Sequence, residues 1–350
     1  MNPTAQREEI MKNSILRSTT IASVVLASCF PGCSDLAIPP TGSYSEVLLV
    51  TEEGADGVWT QLLTPLIARE LDYYVDTELQ FRITPIKASE LDDFPAFKNI
   101  VLCGLLSSTT SVGQIIIDMI GDSGVDQVRS EGARILKKQD RPVKNQFTLI
   151  VTAVSRQSLI DVIEERGVEL TSILEESCRQ RLRRHLLKRD NPQLSEQLYR
   201  DYGFRLQISS LYRLLSDDEQ PPGVELIREP PTRILGVFWS ERASAPTLAD
   251  QDELFSIRAD YVWKRYDKDQ MDRDRVVFES AKLGTNDAIR MSGYWFNDEQ
   301  VMGGYYETYF VFDPRVELLW AVDLLVLAPG KPKHPLAREL RALAETFRTR

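Results

Sequence analysis

The 350-residue chain has only two histidines, His185 and His334, and four cysteines. It contains no Cys-x-x-Cys, no His-Glu-x-x-His, no Gly-x-Gly-x-x-Gly and no phosphate-binding loop. A thiolate or imidazole metal centre therefore lacks its ligands. Nucleotide and dinucleotide chemistry lacks the glycines that let a backbone approach phosphate. Neither a cofactor nor a metal is expected. No apolar run reaches the roughly 20 residues that a spanning helix needs. The formal charge of -10 makes nucleic acid an unexpected partner.

The serine and carboxylate motifs that do occur are incomplete. Gly121-Asp-Ser-Gly124 has the look of a hydrolase nucleophile segment, but no histidine precedes it, and Lys331 stands where Asp-x-x-His would need its aspartate before His334. A helix-ending turn is the expectation. Asp267, Asp269, Asp272 and Asp274 lack the glycine and the final glutamate of a calcium loop, and Lys268, Arg273 and Arg275 interleave with them, which reads as a solvated loop. No catalytic residue is assigned. Carboxylate pairs leave no spacing signature, so a carboxylate-dependent envelope hydrolase using an inward Glu279 or Glu307 stays open as the alternative.

What the chain does have is a leader. Met11-Lys-Asn-Ser-Ile-Leu-Arg17 is a basic start, with translation from Met11 or a harmless extension before it. A short apolar run follows over 20–28, of the length of a signal-peptide core. Leu26-Ala27-Ser28-Cys29 resembles the lipobox of bacterial lipoproteins, in which small residues admit the peptidase and the cysteine is acylated. Cys29 is the expected lipidation site; an ordinary cleaved signal is the plainer reading, and Cys33, preceded by Phe30-Pro31-Gly32, the weaker candidate. The expected segments are a signal peptide over 1–29, a Pro/Gly linker over 30–45, an α/β domain over 46–190 and an α+β domain over 191–350. The membrane is then a partner through the N-terminal lipid, and the location is the cell envelope, periplasmic or surface-facing. Cys103 and Cys178 are expected to be free and buried.

Hydrophobic periodicity predicts strands over 46–50, 79–85, 99–103, 134–138 and 147–153, and helices over 54–74, 113–120, 155–165 and 168–188. That order gives a partly parallel sheet. The end of the last helix holds five arginines from Arg179 to Arg189 with His185 and Lys188: a solvated face suited to the helix dipole, or a contact for an acidic partner or lipid headgroups. After Asn191-Pro192 the pattern changes. Strands over 223–227, 233–240, 276–283, 288–296, 301–312 and 318–328, joined by short turns, read as an antiparallel sheet packed with helices over 251–266 and 335–347. The fold class is therefore α+β. Gly293, Tyr294 and Trp295 face Met302, Gly303, Gly304, Tyr305 and Tyr306 across one hairpin. These are either core packing or a groove for a ligand or an envelope protein partner.

Met291-Ser-Gly-Tyr-Trp295, Val301-Met-Gly-Gly304 and Val326-Leu-Ala-Pro-Gly-Lys331 before a last helix resemble the domain of unknown function 4837 family of bacterial lipoproteins. Weaker likeness runs through Val47-Leu-Leu-Val50 with Trp59, and through Tyr202-Gly-Phe204 to Tyr212. Leu327 replaces a frequent aromatic, and Tyr305-Tyr306 replaces Pro-Phe. The resemblance implies a lipid anchor and a single fold and carries no catalytic residues. The second half is also similar in layout to the Mog1/PsbP-like fold, whose members mostly bind or scaffold, an analogy of fold alone. Together these readings describe a lipid-anchored envelope protein that binds or scaffolds.

Overall fold

A computed structural model describes residues 40–71, 77–140, 143–216, 221–266 and 268–350. Residues 38–350 form one compact unit. Within it lie two sheets, each covered on both faces by helices, in keeping with the α+β class.

The first sheet is built from β1 (Glu46–Thr51), β2 (Arg82–Lys87), β3 (Asn99–Leu105), β4 (Ala133–Gln139) and β5 (Phe147–Ala153), in the order β2-β1-β3-β5-β4. Its first three pairings are parallel and the β5–β4 pairing is antiparallel. The central strands read as unbroken apolar runs because both faces are covered. Val47, Leu49, Val101 and Cys103 face helices α1 (Val58–Ile67) and α3 (Arg156–Leu186), whereas Leu48, Val50, Ile100 and Leu102 face α2 (Ser111–Glu131).

The helices of this half depart from the sequence reading at the end of α1 and follow it at two breaks. The helix expected over 54–74 ends at Ile67, and the strand expected from 79 starts at Arg82. The helix expected over 113–120 breaks at Gly121, as the helix-ending turn there implies, with a φ of 68° that suits glycine, and a second helical stretch runs on to Glu131. The two helices expected on either side of Arg166-Gly167 meet at a kink where expected: α3 leaves helical geometry at Arg166 (φ -117°, ψ 15°). Gly167, next to that break, also serves close packing. A Cβ on it would stand 2.8 Å from Leu66 Cδ1, and one turn on Thr171 Oγ1 donates to the Leu66 carbonyl.

Helix α4 (Pro192–Tyr202) begins at the predicted break, with Asn191 Oδ1 accepting from Leu194 N. The second sheet then forms from β6 (Arg213–Ser216), β7 (Gly223–Arg228), β8 (Thr232–Glu241), β9 (Gln270–Met271), β10 (Val277–Leu283), β11 (Asn286–Asn297), β12 (Met302–Asp313) and β13 (Leu318–Leu327). It is antiparallel throughout, with β11-β12-β13-β8-β7-β6 side by side and β9 and β10 both on β11. Helix α5 (Gln251–Arg265) covers one face through Leu254, Tyr261 and Val262. Helices α4 and α6 (His334–Ala344) cover the other through Leu198, Leu340 and Leu343. Helix α6 also packs on α3, and so joins the two sheets. No helix among the described residues is long and apolar enough to cross a membrane.

Candidate functional site

Helix α6 is the joint from which the site is built. Nine of its eleven residues are buried, among them Arg338, Glu339 and Arg341. A helix enclosed all round must pair every charge it carries. Arg338 reaches the first half. Its Nε and Nη2 donate to the two oxygens of Glu175 on α3, at 2.9 and 2.7 Å, while Nη1 donates to Ser45 Oγ and Nη2 to the Gln80 carbonyl. Glu339 accepts from Tyr212 Oη, Arg228 and Arg233 in the second half. Arg341 clamps the carboxylate of Glu307 on β12, which also accepts from the hydroxyls of Tyr305 and Tyr309. The helix N-terminus is closed by Glu78, whose oxygens accept from Lys333 N and His334 N at 2.8 Å.

These pairs set the ionisation of the joint. Burial opposes charge on Glu175, but Arg338 outweighs it and holds the carboxyl far below the usual range. Glu307 is buried completely, yet Arg341 and then Arg290 bring it to about 2. Burial, reinforced by Arg338, lowers His334 to about 3, so the ring is neutral. Because an arginine only donates, His334 Nε2 is the acceptor of the 2.9 Å bond from Arg338 Nη2, and the ring proton sits on Nδ1.

Beside this joint, three recesses of about 420, 450 and 660 Å³ meet around Arg69, just past the end of α1. The 420 Å³ recess lies between the sheets and is lined by Arg69, Arg179, Lys282, Arg290 and Arg341, with Glu175, Glu279 and Glu345 between them. Most of these charges are spoken for. Arg179 pairs with Glu345, Arg290 with Glu279, Lys282 with Asp287 and Arg341 with Glu307. Arg69 is exposed, and its guanidinium has no hydrogen bond or ion pair among the described residues. Val168 (79% exposed) and Val277 (47%) are exposed apolar side chains lining the two larger flanking recesses. The arrangement offers a planar five-donor cation with apolar surface nearby, which suits a carboxylate or phosphate ester better than a neutral ligand.

The eight hairpin residues are not assembled into one groove. Tyr294 is registered with Tyr305, and both belong to the core facing α6; Trp295 and Tyr306 belong to the core facing α5. All four are at most 5% exposed. Tyr306 packs under Arg258, whose guanidinium lies 3.6 Å from the ring centroid and forms a bidentate pair with Asp323. Met302 and Gly303 are half-buried at the turn end. Gly304 has a packing reason: a Cβ there would stand 2.0 Å from the Val326 carbonyl oxygen. Gly293 lies buried opposite Tyr306, with a Cβ position 3.1 Å from the Tyr306 hydroxyl. Tyr294 edges the recess beside Arg275 and Val277.

Cys29 and the leader lie outside the described residues, as does Asp267. Asp269 is buried and accepts from Asn297, against the expectation of a solvated loop, while Asp272 caps a short helical turn. Among the described residues no three histidine, cysteine, aspartate or glutamate side chains are grouped to hold a metal. Cys103 and Cys178 are free and buried. Arg181 corrects the picture of a solvated helix end: it is fully buried and donates to Lys98 O, Asn145 O and Asn99 Oδ1. The inter-sheet cleft had no sequence signal, since its lining comes from segments far apart in the chain.

The family profile of the Domain of unknown function (DUF4837) matches residues 191–346, which bears out the resemblance over α4, the second sheet and α6. No curated protein matches the chain. Four solved chains do. One is a Bacteroides thetaiotaomicron protein, 13% identical with a TM-score of 0.28, matched over 42% of this chain and 45% of its own. The chain thus spans less than half of that relative. Another is LpqN of Mycobacterium tuberculosis, described as involved in cell envelope biogenesis, also 13% identical with a TM-score of 0.28, over 41% of this chain and 81% of its own.

Proposed function

We propose that the protein is a lipid-anchored binding module of the cell envelope, tethered through Cys29, that takes the acidic group of an envelope ligand in the cleft around Arg69. The observation that carries this reading is the Arg69 guanidinium, without a side-chain partner among the described residues, at the meeting point of three recesses whose other arginines and lysine pair with carboxylates or, like Arg275, lie over an aromatic ring. Those pairs hold the walls still, so a ligand meets a preorganised cation rather than one it must first free. The leader and the lipobox-like cysteine supply the location.

The hydrolase reading finds no support in the carboxylates named for it. A general acid or base is effective when its pKa lies near the working pH. Glu307 is held ionised at about 2 and enclosed by Arg341, Tyr305 and Tyr309. Glu279 sits on the exposed strand β10 with Arg290.

The test is a thermal-shift titration of the full chain carrying Cys29→Ala, with oligoglutamate peptides and uronate oligosaccharides as carboxylate probes. A ligand at 100 times its Kd adds about 2.7 kcal/mol of stability. A saturable rise in Tm that Arg69→Glu abolishes, with the ligand-free Tm unchanged, supports the cleft. No rise with any probe, or the same rise in Arg69→Glu, removes it.

A further inference from the structure

The cations at the end of α3 are not absorbed by the cleft around Arg69. His185, Lys188 and Arg189 line a separate cavity of about 600 Å³, together with Arg228 from β7, Glu339, and the apolar walls Tyr44, Leu182, Leu186 and Leu211. His185, Lys188 and Arg189 are exposed, and their side chains have no hydrogen bond or ion pair among the described residues. Arg228 is spent on Glu339. Pairing with the helix dipole explains one cation in the last turn. It does not explain Lys188 and Arg189 turned to one cavity beside His185, with the paired Arg228 arriving from another element. Their mutual repulsion is felt at His185, which is lowered first by burial and then by Lys188, Lys98, Arg189 and Arg228. On a chain of net charge -10, Lys188 and Arg189 are a local concentration of positive charge with no carboxylate partner among the described residues.

The place of this cavity in the chain gives its direction. Tyr44 lines it, and residues 40–44 are strapped to the first sheet by Thr41 against Ala96 and Lys98, and by Lys98 Nζ on the carbonyls of Pro40 and Gly42. The first described residues therefore lie at the wall of the basic cavity. From Cys29 to Tyr44 the tether spans at most about 50 Å when fully extended.

We infer that the cavity formed by His185, Lys188, Arg189 and Arg228 beside Tyr44 is a docking site for the phosphate headgroups of anionic phospholipids, which seats the body on the membrane that holds its tether. This rests on the tethered reading of the function, but on neither the cleft nor its ligand. Lys188 and Arg189 meet the phosphate charge, and Leu211 (41% exposed) and Tyr44 give the apolar contact that an interfacial site needs. Juxtamembrane cations of this kind act within a Debye length of the surface, so the attachment weakens as salt rises.

The experiment is co-sedimentation of the full chain carrying Cys29→Ala with phosphatidylcholine vesicles, with and without phosphatidylglycerol. It is repeated for Lys188→Glu/Arg189→Glu and for the milder Lys188→Gln/Arg189→Gln. Any insertion of the unprocessed leader adds equally to all three proteins. The expected result is at least tenfold stronger partitioning onto the anionic vesicles, reduced by salt, lost in the Glu pair and weakened in the Gln pair, with urea midpoints unchanged. Equal partitioning onto both vesicles, or anionic preference retained in the Glu pair, overturns the inference. So does a thermal shift with inorganic phosphate but no vesicle preference, which would make the cavity a free-phosphate site. Lipidation at Cys29 is read separately, by mass, so failure of the tether and failure of the docking site are distinguishable.

Discussion

Replacing Arg338 by alanine isolates the joint between the two halves. The wild-type side chain is fully buried, and it alone delivers two charge-assisted bonds to Glu175, which is 7% exposed. Removing the cation leaves Glu175 with the amide of Gln80 at 3.3 Å and with His334 Nε2 at 3.9 Å. Breaking a buried pair from one side costs about 3–5 kcal/mol, because the remaining charge has no compensation. The cost depends on pH, and its sign follows from the two groups left behind. In the wild type Glu175 has a depressed pKa, so its contribution is present above the unfolded value of about 4.3 and is lost as pH falls below it. His334, at about 3, behaves alike: its contribution is present above about 6.5 and is lost progressively on acidification. In Arg338→Ala, burial raises Glu175 and His334 is freed to take a proton beside it. The variant thus gains where the wild type loses. Urea unfolding followed by tryptophan fluorescence should show a gap of about 3–5 kcal/mol at neutral pH, shrinking to about half by the acid side of pH 5. A gap below about 1 kcal/mol, or one that is the same at both pH values, refutes the ionic joint. The pair Glu175→Leu with Arg338→Met should recover most of the loss, since an apolar pair of similar volume removes the unpaired charge.

Two further outcomes follow from packing. Gly304→Ala places a Cβ 2.0 Å from the Val326 carbonyl oxygen and 2.7 Å from Trp295 Nε1, so it should lower stability by at least about 1–3 kcal/mol; an unchanged urea midpoint would show that β12 and β13 are not held this close. Cys103 and Cys178 are fully buried, with thiols pushed up by burial, so a thiol reagent at neutral pH should label neither in the native protein and both above the urea midpoint. Fast labelling of either in the native state would contradict their placement.

The strands were legible wherever burial writes itself into sequence. The apolar runs of β1, β3 and β5 and the turn at Asn297-Asp298-Glu299-Gln300 located their elements within a residue or two. The end of α1 misled, because the apolar spacing continues to Leu71, which the fold places in a short strand instead. The hairpin aromatics misled in another way. Tyr294 and Trp295 are adjacent in sequence, but the two-residue period of a strand sends them to opposite cores. The ionic joint was illegible for a third reason: Arg338, Glu339 and Arg341 are unremarkable charges on a helix until their partners arrive from residues 175, 228, 233 and 307. Arg69 carries no local signal at all, since what distinguishes it is the lack of a side-chain partner among the described residues.

The proposed tether at Cys29 would decide where the cleft and the basic cavity meet their ligands, and it is the claim most directly open to measurement. Intact mass of the membrane-extracted protein, wild type beside Cys29→Ala, reads it in one step. The expected wild-type mass is that of a chain beginning at Cys29 plus acyl groups, and the alanine variant should lack the acyl mass. An unmodified wild-type mass, or the same mass increment in both proteins, would contradict the anchor and with it the assignment to the envelope.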